Sequence, residues 1–209
     1  MVEETKKKKA VVDIDGILWL MGPVWDKVIK RDYPDCPMPG HGKEGEKAKW
    51  NFYEGYMTEK QMQATVKEVH VRQTEFDCFQ NARSLTKKLT RHGYHVTIAS
   101  HRDPTTHDST KEWLELKDIT YDDLYIGMDK HFLLDDADIF IDDSPLSQKI
   151  AMDKGVTVFS IQYDYNDHME GVKFFPDFFS LLTGLTYWLR TDGENINEYR
   201  REDTSGFNR

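Results

Sequence analysis

Seven residues constrain this 209-residue chain more than any others: Ala10-Val11-Val12-Asp13-Ile14-Asp15-Gly16. The apolar run is short and rich in β-branched residues, which favours a buried strand over a helix. Side chains alternate along a strand, so Asp13 and Asp15 share one side at its C-terminal end. Gly16 permits a tight exit turn. Open α/β sheets bind ligands at the carboxyl ends of their strands. Two carboxylates placed there are candidates for half of an acidic, metal-binding reaction centre.

The rest of the chain supplies a regular alternation around this stretch. Ile17 to Met21 reads as a short strand or hairpin leaving the sheet. Pro34, Pro37, Pro39, Gly40, Gly42 and Gly45 then mark a loop. Trp50, Phe52, Tyr53 and Tyr56 form an aromatic cluster. Thr58 and Gln61 make a capping box, and Met62, Thr65, Val66 and Val69 recur at helical spacing. Residues 20–76 therefore read as an inserted, mostly helical module. Phe79, Ala82, Leu85 and Leu89 define a helix that stops at Gly93. Strands are expected at 94–99, 121–126, 137–141 and 156–161. Helices are expected from Asp103-Pro104 (through Trp113, Leu114 and Leu116), over 145–154 and over 174–189. The fold class is α/β: a mainly parallel central sheet with helices on both faces, and a small mostly helical cap inserted after the first strand. The core comprises residues 1–19 and 77–190, the cap 20–76, and a polar tail 191–209.

Three of these strands end in polar clusters: Asp13 with Asp15, Ser100, and Asp142 with Asp143. A parallel sheet brings those ends to one edge. Grouped carboxylates repel unless protons or a cation offset their charge. Oxygen ligands of this kind suit Mg²⁺ together with a substrate phosphate. One carboxylate can attack phosphorus while a second moves protons.

At these residues the chain resembles the haloacid dehalogenase superfamily of phosphohydrolases. The matching stretches are Val11 to Gly16, Val96 to Ser100, Asp129-Lys130, and Ile139 to Pro145. Asp129-Lys130 with Ile141-Asp142-Asp143-Ser144-Pro145, and also Tyr163-Asp164-Tyr165-Asn166, resemble the 5′(3′)-deoxyribonucleotidase branch and its bacterial and phage relatives. The resemblance covers residues 8–19 and about 78–168. It implies that Asp13 is the nucleophile and a metal ligand. It makes Asp15 the general acid/base, with its backbone carbonyl also on Mg²⁺. It places Ser100, Lys130 and Gly16 around the phosphate, Asp143 on the metal, and Asp142 behind it through water. Ile17 departs from the family, which usually has threonine there.

Taken singly, these residues have plainer readings. Asp-x-Asp-Gly fits a solvated turn, Asp142-Asp143 a helix N-cap before Pro145, and Ser100 the start of a turn. Lys117 and Lys149 rival Lys130. His101 and Arg102 fit either a phosphate contact or ordinary surface positions. Trp50 and Phe52 fit either the core of the module or contacts to a substrate base.

The net charge of −9 weighs against a non-specific nucleic-acid or anionic-membrane binder. Cys36 and Cys78 lack metal or redox spacing and read as reduced thiols. Lys6 to Lys9 imitates the start of a signal peptide, but Asp13 and Asp15 break the apolar run that follows. No stretch is apolar over a bilayer's width. A cytoplasmic protein is expected. The expected partner is a small phosphorylated substrate, a nucleotide first, with monomer and homodimer both open. Alternatives are a sugar phosphate, a nucleic-acid 3′-phosphate lying along Lys43 to Lys49, or a non-catalytic binder of the same fold.

Overall fold

A computed structural model describes residues 7–37 and 49–191. The 192–209 part of the expected tail and most of the Pro/Gly-rich loop lie outside them. Six parallel strands form one sheet. They are β1 (Lys9–Val12), β2 (His95–His101), β3 (Asp123–Gly127), β4 (Ile139–Ile141), β5 (Thr157–Ile161) and β6 (Lys173–Phe175). Their order is β3-β2-β1-β4-β5-β6. The opening stretch thus lies inside the sheet, with Val12 opposite Ile98 on one side and Ile141 on the other.

Six α-helices complete the described fold: α1 (Gly22–Asp32), α2 (Glu59–Val71), α3 (Ala82–Arg91), α4 (His107–Leu116), α5 (Pro145–Asp153) and α6 (Phe178–Arg190). Strand alternation sorts the core into two layers. Val12, Ile98 and Ile141 pack with Leu85, Leu89, Trp113, Leu181 and Leu185. Val11, Ala99 and Phe140 point the other way, toward Ala151. Helices α3, α4 and α6 therefore cover one face and α5 the other.

Local signals set several boundaries. Thr58 and Gln61 form the complete capping box of α2. Ser144 and Pro145 start α5, with the Ser144 hydroxyl accepting from the Ser147 backbone N–H. Asp177 caps α6 in the same manner, accepting from the Ser180 N–H at 2.7 Å. Between β1 and α3, helices α1 and α2 pack together around Ile29, Cys36 and Met57, with Trp25, Phe52, Tyr53 and Met62 against them. Trp25 Nε1 donates to Thr65 Oγ1 across this pair at 2.9 Å.

Two expectations are corrected. Ile17 to Met21 is not a strand: Leu18 N–H returns to Ile14 O at 2.8 Å, and Asp15 and Trp19 make one isolated bridge. The run is apolar because the turn is tucked inward, where Trp19 stacks on Phe76. The 174–189 helix begins only at Phe178. Phe174 and Phe175 instead form β6 beside β5, since Pro176 drives the residue before it toward extended backbone. Among the described residues, no helix is long and apolar enough to cross a membrane.

Candidate active site

Asp13 follows β1 directly, and its backbone N–H still donates to Ile141 O at 2.8 Å. Asp142 and Asp143 follow β4, the neighbouring strand. Parallel register therefore puts the three carboxylates side by side. Each offers one oxygen, and these oxygens lie within 4.8 Å of one another. All three residues are buried.

Lys130 reaches this group from the loop after β3. Its Nζ donates to Asp13 Oδ1 and to Asp142 Oδ2, both at 2.6 Å, and to Ala99 O at 3.3 Å. The rival lysines are occupied on the surface: Lys117 pairs with Asp77 and Lys149 with Asp153. Burial works against the Lys130 ammonium, but Asp13 and Asp142 more than reverse it and hold its pKa above the usual lysine range. One ammonium shared by two carboxylates cannot neutralise three. Burial pushes the Asp13 carboxyl up to about 7 against the pull of Lys130, and Asp142 and Asp15 add to the rise. Burial, Asp142 and Asp13 raise Asp143 as well.

Gly16 closes the turn after Asp15 with φ of +72°, and a Cβ there would meet Asp143 Oδ2 at 2.1 Å. Only glycine fits this close approach. The two Asp-bearing turns, after β1 and after β4, thus lie in direct contact.

Asp15 faces a second set of partners. Arg102 donates to it twice, Nε to Oδ2 at 2.9 Å and Nη2 to Oδ1 at 2.7 Å. Trp19 Nε1 donates to Oδ1 at 2.8 Å, and Ser100 Oγ to Oδ2 at 3.2 Å. His70 Nε2 is also 3.2 Å from Oδ2, in the ion-pair range but without hydrogen-bond alignment. Burial favours the neutral carboxyl, but Arg102 and then His70 outweigh it and hold Asp15 well below the usual carboxylate range. Arg102 is itself fully buried, and its Nη1 donates to Gln73 Oε1 at 2.5 Å and Thr110 Oγ1 at 2.9 Å.

The geometry thus separates Asp13 and Asp15 electrostatically: Asp13 among excess negative charge, Asp15 against a guanidinium. Ser100 is buried and bonded to Asp15. His101 is exposed, whereas Arg102 is buried and shared among Asp15, Gln73 and Thr110. Trp50 is 49% exposed and meets the Tyr165 ring at 5.4 Å. Phe52 instead packs edge-on against Trp25 at 5.1 Å, inside the inserted segment.

Several neighbours of these carboxylates were missed by the sequence reading or given no place in it. His70 and Gln73 come from the inserted segment and carry no local signal. Arg102 was weighed as a phosphate contact or a surface residue and is neither: it sits two residues after Ser100, on the same side by strand alternation, and pairs with Asp15. Tyr163, Tyr165 and Asn166 stood out only through the family resemblance. Tyr163 OH donates to Gly16 O at 2.8 Å, and Asn166 Nδ2 to Asp143 O at 2.9 Å.

No protein-family model and no curated protein matches the sequence. Solved structures do match the fold. A haloacid dehalogenase-like family hydrolase of Streptococcus pneumoniae superposes with a TM-score of 0.57 at 16% identity, covering 87% of this chain and 98% of that one. The CbbY protein of Rhodobacter sphaeroides, in complex with phosphate, gives 0.55 at 12%, covering 82% and 95%. Phosphoserine phosphatase of T. onnurineus gives 0.51 at 14%, covering 89% and 98%. The chain has the Rossmann-like α/β fold of these haloacid dehalogenase-type structures.

Proposed function

We propose that this protein is a Mg²⁺-dependent phosphomonoester hydrolase working through an aspartyl phosphate on Asp13, with nucleoside monophosphates as its substrate class. One observation carries the reading: Asp13, Lys130, Asp142 and Asp143 meet, buried, at the carboxyl ends of adjacent parallel strands. A divalent cation fits them, because three carboxylates share one ammonium and a hard cation takes oxygen ligands. Asp13 and Asp143 would hold it with the Asp15 backbone carbonyl, and Asp142 would support them. When bound, Mg²⁺ offsets the charge of substrate phosphate and carboxylates and polarises the phosphorus.

The remaining chemistry belongs to the chain's own residues. The Asp13 carboxylate attacks phosphorus, the bond to the leaving oxygen breaks, and the phosphoryl group rests on Asp13. Lys130 stabilises the charge on Asp13 and the phosphate, and the Ser100 hydroxyl takes a phosphate oxygen. Water then attacks the aspartyl phosphate and gives its proton to Asp15, which releases phosphate and restores Asp13. Asp15, ionised against Arg102, has the right form for that second step. Protonating the leaving oxygen in the first step requires Asp15 to take up a proton from solvent before that step, as the Arg102 pair loosens in the substrate complex.

Residues 20–76 would close over the site, exclude water and choose the substrate. Support for this comes from His70 and Gln73, which reach the Asp15–Arg102 pair, and from Trp50, which reaches Tyr165. The exposed Trp50 indole, one ring away from Asp143 through Tyr165, offers a face for a nucleobase. Similarity in fold to a phosphoserine phosphatase favours a second reading, a small non-aromatic phosphate ester.

A panel of phosphate esters with Mg²⁺ tests both. Phosphate release from nucleoside monophosphates, but not from sugar phosphates, phosphoserine or 3′-phosphorylated oligonucleotides, is the expected result. Preference for phosphoserine or a sugar phosphate would overturn the nucleotide assignment, and no turnover of any ester would overturn the hydrolase reading.

A further inference from the structure

We propose that Tyr165 is a positioning residue of the cation site, holding the Asp143 carboxylate in place from the loop after β5. The inference rests on the metal-dependent reading above.

The Tyr165 hydroxyl donates to Asp143 Oδ2. Its ring is fixed on two sides, stacked on Tyr163 at 5.2 Å and 13° and tilted against Trp50 at 5.4 Å. The loop that carries it is anchored on both Asp-bearing turns. Tyr163 OH donates to Gly16 O at 2.8 Å, and Asn166 Nδ2 donates to Asp143 O at 2.9 Å and Ile161 O at 3.1 Å. Asn166 Oδ1 accepts in turn from the Tyr163 N–H at 2.8 Å. A hydroxyl so constrained holds the carboxylate to one orientation. A ligand oriented in advance loses less freedom on binding a cation, which is why partners behind a metal ligand govern affinity. Trp50 comes from the inserted segment, so the same ring joins that segment to a proposed ligand.

The experiment compares the full-length wild-type protein with Tyr165→Phe, which keeps the ring and removes the hydroxyl, and with Asp143→Asn. Mn²⁺ binding is followed by the electron paramagnetic resonance signal of the free ion, without substrate. Tyr165→Phe is expected to weaken Mn²⁺ binding about 10-fold or more. The Mg²⁺ concentration for half-maximal phosphate release should rise by a similar factor, with kcat at saturating Mg²⁺ within about threefold of wild type. Asp143→Asn should lose binding. Cation affinity within about twofold of wild type in Tyr165→Phe, with Asp143→Asn defective, would overturn the role of Tyr165 alone, whatever the melting temperature of the metal-free variant. Normal binding in Asp143→Asn would overturn the cation site and the role of Tyr165 with it.

Discussion

Arg102 grips Asp15 with two parallel hydrogen bonds, at 2.9 and 2.7 Å, and does so from a fully buried position. A guanidinium fork matched to a carboxylate fixes orientation as well as charge. Removing it strands a carboxylate whose remaining donors are neutral. Arg102→Met should therefore destabilise the fold by about 3–5 kcal/mol, the cost of breaking a buried pair by deleting one partner. Denaturant unfolding checks this. A loss below about 1 kcal/mol, typical of a surface pair, would contradict it.

Lys130 is the cation hydrogen-bonded to both Asp13 and Asp142. Lys130→Met keeps much of the stem's volume and removes the charge. Phosphate release should fall by about 100-fold or more, in line with the loss of one preorganised charge partner in a dry site. Steady-state assays at saturating Mg²⁺ measure it. Activity within a few-fold of wild type would shift the charge-balancing role to another residue.

Stability should respond to pH and Mg²⁺ together. Burial lifts the Asp13 carboxyl from 3.8 to about 7 in the metal-free fold. Between those values the folded chain holds this proton more tightly than the unfolded chain. The contribution of Asp13 to stability is therefore fully present below about pH 4 and declines as pH rises toward 7. Asp143 acts in the same direction. Mg²⁺ competes with these protons, so the rise in melting temperature on adding it should be larger near pH 8 than near pH 5. Thermal melts at the two pH values, with and without Mg²⁺, decide the point. Equal rises at both would contradict the competition.

Much of this architecture was legible in the sequence because its signals are local. Short β-branched runs ending in Asp13, Ser100 and Asp142 mark strands by composition and site residues by position, and parallel pairing brings their ends together. Phe174-Phe175 was illegible for a physical reason: two aromatics ahead of an apolar helix continue its periodicity, and only pairing with Ser160 and Ile161 makes them a strand. The turn at Ile17 to Trp19 misled in the opposite sense, its apolar residues being buried without pairing. The surroundings of Asp15 were only partly legible because they are assembled from three parts of the chain: Trp19 in its own turn, His70 from α2, and Ser100 with Arg102 at the end of β2. Such a group is a product of tertiary packing, and no periodicity announces it.

The central claim is that phosphorus is transferred to Asp13. Acid quenching during steady turnover of a competent phosphate ester with Mg²⁺, followed by peptide mapping by mass spectrometry, tests it most directly. One hydroxylamine-labile phosphoryl group on the peptide containing Asp13, absent from Asp13→Asn, is the predicted result. A phosphoryl group on another residue, or full turnover by Asp13→Asn, would contradict it.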